Sequence, residues 1–130
     1  SQFFLENQKF LNWRDQLYRE GVRIPMIPGL ICAQSSSQIQ RFAKMCGCMV
    51  PSELIKDLER FEGNAEDSLK VGLDHAEKQL NGLIREGITG VHLYALNRSE
   101  VVNALGPTMV GLKSRTDLRS SLENDGRLGF

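Results

Sequence analysis

Apolar residues fall along this chain in short blocks separated by glycine, proline and polar clusters, with helical spacing in some blocks and continuous runs in others. The run Gln2-Phe3-Phe4-Leu5 predicts the end of a buried strand. Asn7 is placed to cap a helix in which Phe10, Leu11, Trp13, Leu17 and Tyr18 recur at helical spacing, with Gly21 as its stop. Residues 22–27 make a second strand candidate, broken by Pro28-Gly29. Pro25 suits a central strand only at its start, so the regular part narrows to 26–30. A Ser/Gln stretch at 34–38 offers N-cap hydroxyls to a helix with the stripe Ile39, Phe42, Ala43 and Cys46, ended by Gly47. Pro51-Ser52 restarts the chain into a short helix with Leu54, Ile55, Leu58 and Phe61 inward. Asn64 caps the longest helix, 65–85, whose inward positions include Leu69, Leu73, Ala76, Leu80, Leu83 and Ile84, and Gly87 ends it. Residues 89–96 predict a third strand, and Ser99 caps a last helix carrying Val101, Val102 and Leu105.

The order is strand, helix, strand, three helices, strand, helix. Strands alternating with helices imply parallel pairing and right-handed crossovers. Their continuous apolar character fits strands covered on both faces. The class is α/β over 1–106. Residues 107–130 are rich in Ser, Gly, Arg, Asp and Asn and read as a polar C-terminal tail, with a helical turn around 116–122.

Length and charge narrow the field. With 130 residues there is room for one domain. Sixteen Lys+Arg balance sixteen Asp+Glu, which gives no support for nucleic-acid binding or for an anionic membrane surface. No apolar run approaches the ~20 residues of a membrane span. Three cysteines, two of them in Cys46-Gly-Cys48, argue against a disulfide framework and for free thiols in a reducing, cytoplasmic compartment. The opening Ser1-Gln2-Phe3-Phe4 lacks the pattern of a signal peptide and reads as the interior of a longer protein.

In parallel α/β architectures ligands meet the carboxyl ends of the strands. Polar Gln2, Asn97 and Arg98 stand out in otherwise apolar strand ends; the plainer alternative makes them a terminal residue, a turn cap and a surface charge. Cys46-Gly-Cys48 has no second Cys/His pair at ligand spacing, and Cys46 fits the core. His75 and His92 lack a nearby Ser or Cys partner and read as structural. Gly82 and Gly87 punctuate a helix, and neither a Walker loop nor a GxGxxG fingerprint is present. Glu62, Glu66 and Asp67 suit a helix N-terminus.

The strand ends Gln2-Phe3-Phe4, Ile27-Pro28-Gly29-Leu30 and Tyr94-Ala95-Leu96-Asn97-Arg98 are joined by Arg41-Phe42-Ala43-Lys44, Val50-Pro51-Ser52-Glu53-Leu54 and Gly87-Ile88-Thr89-Gly90-Val91-His92-Leu93. In order and spacing these segments resemble the methylenetetrahydrofolate reductase family, from residue 1 to about 105. The resemblance implies the C-terminal portion, strands six to eight, of a (β/α)8 barrel, with the extra helices of 51–86 in the seventh connection. It implies an oxidoreductase that binds FAD and uses NAD(P)H to reduce 5,10-methylenetetrahydrofolate to 5-methyltetrahydrofolate. The family's pterin-binding glutamine falls on Gln2, its folate-packing phenylalanine on Phe42, and its leucine and arginine after the eighth strand on Leu96 and Arg98, beside Tyr94. An amide suits a pterin edge because it donates and accepts in one plane, and an arginine suits the folate carboxylates.

Three departures stand out. The family's threonine is Ala95, its phenylalanine-aspartate is Leu5-Glu6, and residues 107–130 match nothing in the family pattern. The catalytic carboxylates and most flavin contacts of the family lie on strands outside this chain, so the resemblance implies no activity for the chain alone. It implies pairing with the remaining barrel strands, since three strands would leave two open edges and an exposed inner face. It leaves room for a homo-oligomer. The alternative is a non-catalytic truncated isoform or interaction module of the same family.

Overall fold

Gly29 sits where two chain segments close in on it from either side. In the computed structural model, which describes residues 1–110 and 112, Phe3 bridges Gly29 in parallel on one side, while His92 pairs with it on the other. A Cβ at Gly29 would come within 2.8 Å of the Gln2 carbonyl oxygen, so this crossing point requires glycine. The elements run α1 (Asn7–Arg19), β1 (Gly29–Ile31), α2 (Ser36–Cys46), α3 (Ser52–Arg60), α4 (Ala65–Arg85), β2 (His92–Tyr94) and α5 (Ser99–Met109). β1 and β2 are parallel in the register Gly29↔His92, Leu30↔Leu93, Ile31↔Tyr94. The structure is thus α/β with a small parallel sheet, and β1 is central. No helix among the described residues is long and apolar enough to cross a membrane.

The strands are shorter than the apolar runs that announce them. The first run supplies a single bridge at Phe3, held by the Phe4 amide donating to the Gly29 carbonyl at 3.3 Å. The second begins at 29 rather than 26, because Pro28 has no N–H to donate; its carbonyl still accepts from His92 at 2.9 Å. The third spans His92–Tyr94 rather than 89–96, since its partner β1 offers only three residues.

Side chains alternate across this short sheet. Phe3, Leu5, Ile31 and Ala33 pack with Ile39 of α2 and Leu54 and Leu58 of α3. Leu30, with half-buried Phe4 and Leu93, packs with Phe10 and Leu11 of α1 and Leu80 and Leu83 of α4. Cys32 joins Ala76, Val101 and Leu105 between α4 and α5. The inner face expected to be exposed is therefore covered, because α2 and α3 fold back over it. Each fully buried Leu or Ile in these clusters contributes roughly 1.5–3 kcal/mol relative to exposure.

Capping follows the sequence at two helices and departs from it at two. Ser35 accepts from the Gln38 amide at 3.2 Å and Asn64 from the Asp67 amide at 3.1 Å, each cap contributing about 1 kcal/mol. Gly47 ends α2 in the left-handed region at φ 68°. Asn7, however, is the first helical residue of α1 and turns its side chain to α4, where Nδ2 donates to the Gln79 carbonyl at 2.8 Å. Ser99 likewise lies inside α5, with Arg98 at the cap. α5 also continues through Pro107 to Met109, past the expected boundary at 107: Thr108 donates to Glu77 at 2.8 Å and Met109 packs on the second cluster. The helical turn expected at 116–122 lies outside the described residues.

α4 approaches the sheet most closely at Gly72, where a Cβ would overlap the Ala33 carbonyl oxygen. Gly72→Ala is expected to lower stability by roughly 1–3 kcal/mol, the range for forcing a methyl into a full site. Gly106→Ala, on α5 where a Cβ meets nothing within 4 Å, is expected to raise it by about 0.5–1 kcal/mol. Urea midpoints of the two variants check both signs.

Candidate functional site

Three of the five residues singled out by resemblance come together around the sheet. Gln2 immediately precedes the bridged Phe3 and is exposed. Tyr94 ends β2 on the far side of β1, yet its hydroxyl donates to the Gln2 side-chain oxygen at 3.4 Å. The Tyr94 ring is held by an edge contact to Phe3, centroids 6.1 Å apart, and by His92 at 4.5 Å. Phe42, half-buried on α2, packs against the same Phe3–Leu5–Ile31 cluster as Tyr94. The Arg41 guanidinium lies 5.3 Å from the centre of the Phe42 ring.

Leu96 and Arg98 lie on the tight turn after β2. Leu96 and Asn97 are both left-handed, at φ 52° and 59°, and the Arg98 amide closes the turn on the Ala95 carbonyl at 3.0 Å. Asparagine tolerates that conformation; a leucine is strained in it by about 1–2 kcal/mol, and here it holds its side chain 43% exposed. Arg98 Nε is buried with no hydrogen-bond partner among the described residues, 3.9 Å from the Glu100 carboxylate. Arg98 also lies near enough to Cys32 to favour its thiolate, but burial dominates and pushes that thiol up to about 11. Cys32 is thereby an inert core residue.

Ala95, where the family pattern has threonine, packs against the Cys32–Ala76–Val101–Leu105 cluster. The lost hydroxyl therefore belongs to the core between α4 and α5 and not to the site. Glu6 precedes α1 without a side-chain cap bond and pairs with Lys9 at 3.5 Å. Both line an open cleft of about 270 Å³ with Gln2, Phe4, Phe10 and Trp13; Phe42, Tyr94, Leu96 and Arg98 do not line it. Among the described residues no three His, Cys, Asp or Glu side chains gather to hold a metal ion.

Two polar residues of α4 were not singled out as partners of the strand end. His75 Nε2 lies 3.0 Å from the Leu5 carbonyl, which can only accept, so Nε2 carries the proton. Gln79 Nε2 donates to the Phe4 carbonyl at 3.2 Å and to Asn7 Oδ1 at 3.3 Å. Hydrophobic spacing carries no sign of either contact.

A sequence model described as methylenetetrahydrofolate reductase matches residues 1–108. The chain belongs to the methylenetetrahydrofolate reductase family. It is 31% identical over 109 residues to the 5,10-methylenetetrahydrofolate reductase of Salmonella typhimurium, covering 84% of this chain and 37% of that protein. The Escherichia coli enzyme of the same name is 29% identical over the same shares. Methylenetetrahydrofolate reductase (NADH) 1 of Arabidopsis thaliana is 28% identical across 94% of this chain and 20% of its own length. The chain thus spans little more than a third of the bacterial reductases it matches. Among the described residues, the cleft beside Gln2 does not fit the flavin dinucleotide that the family name implies. The cleft beside Gln2 is below the ~300–1,000 Å³ of an ordinary ligand pocket, and Lys9, on its wall, is paired with Glu6.

Replacing Leu96 with glycine is expected to stabilise the chain by about 1 kcal/mol, by relieving the left-handed strain, and chemical denaturation measures it. A pH effect follows from His75. Burial holds its imidazole below the ordinary value, against the favourable bond to Leu5, with Lys78 adding to the depression. The unfolded chain therefore binds the proton more readily, so stability is full above about pH 6.5 and falls as the pH drops toward the depressed folded value. Asp74, Lys78, Glu53 and Asp57 line the same cavity as His75. Thermal melts between pH 7.5 and 5 should show this slope in the parent chain and a shallower one in His75→Gln.

Proposed function

We propose that this chain forms the folate-facing part of a flavin-dependent methylenetetrahydrofolate reductase. The observation that carries the reading is the Tyr94–Gln2 hydrogen bond, which joins two of the residues implicated in substrate binding from the two outer segments of the sheet. With its oxygen engaged by Tyr94, the Gln2 amide keeps its two N–H donors for the edge of a pterin. Phe42 supplies an aromatic wall, Leu96 an apolar contact from the turn, and Arg98 a donor for the glutamate carboxylates of folate. In this reading the reaction is reduction of 5,10-methylenetetrahydrofolate to 5-methyltetrahydrofolate. FAD and NAD(P)H are held by barrel strands other than those of this chain, and the remaining strands add to the open edge beside Gln2. The chain alone binds folate without turning it over, and works in the cytoplasm.

Titration of the full chain with 5-methyltetrahydrofolate by calorimetry tests the reading. Gln2→Ala and Phe42→Ala are each expected to weaken binding about tenfold, equivalent to ~1.4 kcal/mol, with unchanged melting in Gln2→Ala. A parent chain that binds no folate would overturn the proposal and favour the non-catalytic interaction module.

A further inference from the structure

The segment bearing Gln2 is joined to β1 by little backbone pairing: the Phe3↔Gly29 bridge, the Phe4 amide on the Gly29 carbonyl, and the Ser1 hydroxyl on the Gly29 amide at 3.0 Å. Beyond Phe4 the ladder stops, and the next two carbonyls, part-buried, take donors from elsewhere. α4 provides both. Gln79 and His75, one helical turn apart and so on the same face, donate to Phe4 O and Leu5 O in turn. Asn7 locks Gln79 from the other side, donating to its main-chain carbonyl and accepting from its side chain. Gly72 and Gly82 flank this pair, each where a Cβ would collide with Ala33 or with Asn7, so the helix is pressed against the strand end along its whole polar line.

Packing does not call for these residues. Gln79 is 5% exposed and its Oε1 has no partner among the described residues, which costs about 1–3 kcal/mol that a methionine of similar shape would avoid. The donor is the feature worth keeping at that position.

We propose that His75 and Gln79 are positioning residues that fix the strand end carrying Gln2, and so set where the Gln2 amide meets its ligand. The ligand half of this inference rests on the folate reading above; the clamp itself does not.

The test uses the full chain, four variants of the clamp, and Gln2→Ala with and without the double change. His75→Leu and Gln79→Met, singly and together, remove the donors, and His75→Gln restores a donor of similar reach. Amide exchange is read at Phe4, which faces the clamped segment, and at His92, on the opposite side of β1. The double variant should speed exchange at Phe4 about tenfold and leave His92 within about twofold, and His75→Gln should return Phe4 toward the parent rate. Binding of 5-methyltetrahydrofolate should fall about tenfold in the double variant but less than about twofold when Gln2 is already alanine. Unchanged exchange at Phe4, equal acceleration at His92, or losses that add to those of Gln2→Ala would each overturn the proposal. A parent chain that binds no folate would defeat the folate reading alone, and the Phe4-to-His92 exchange ratio would then decide the clamp.

Discussion

Because Gly72 has no Cβ, α4 can lie directly against the Ala33 carbonyl, and most other placements follow from that approach. At this distance Ala76, Leu80 and Leu83 enter the core from one helix, completing two of the three apolar clusters. The same closeness lets two short polar side chains, His75 and Gln79, reach backbone carbonyls that no strand serves. It also leaves a concave flank at Gly82 into which Asn7 fits, drawing the start of α1 against α4. A helix set back by the width of a methyl group would lose each of these contacts, since hydrogen bonds weaken steeply with added distance.

A sheet built from three-residue strands draws little cohesion from its own ladder. Here the apolar clusters above and below supply it, with α2 and α3 on one face and α1, α4 and α5 on the other. Such a sheet tolerates a strand end that is anchored from the side. The first segment is the extreme case, with one bridge to β1 and its remaining carbonyls bonded to helix side chains.

The helices were legible because their signals are local. The bounds of α4 fall at 65–85 as the spacing of Leu69, Leu73, Ala76, Leu80 and Leu83 predicts, and Ser35, Asn64 and Gly47 cap as expected. The strands were legible in place and parallel pairing but not in their bounds, since a strand's length is set by how many residues its neighbour offers, and that is decided far away in sequence. Asn7 was misread for a related reason: its side chain could cap locally, but a buried partner on α4 competed and won. Pro107 marked a helix end that the packing of Met109 and the Thr108–Glu77 bond override. Of the site, composition and periodicity marked only polar residues in apolar strand ends. The pairing of Gln2 with Tyr94 spans 92 positions; only family resemblance pointed to both residues, and nothing pointed to His75 or Gln79 beside them.

The direction of the Tyr94–Gln2 bond carries a chemical consequence. The phenol hydroxyl donates to the amide oxygen, so in this arrangement the Gln2 oxygen faces Tyr94 and its N–H groups face away. In the folate reading, the ligand edge that meets Gln2 presents acceptors. On the turn after β2, Arg98 Nε is buried and lacks a partner among the described residues. Phe42 and Leu96, the apolar contacts of that reading, stand outside the cleft beside Gln2. In the folate reading proposed above, a flat heterocycle rich in ring nitrogens and carbonyls is what the Gln2 donors would meet. Ala95 does not alter this balance, because its side chain faces Val101 and Leu105 in the core. In that reading, selectivity depends on which atom of Gln2 is turned outward, and Tyr94, on the far side of β1, biases that choice.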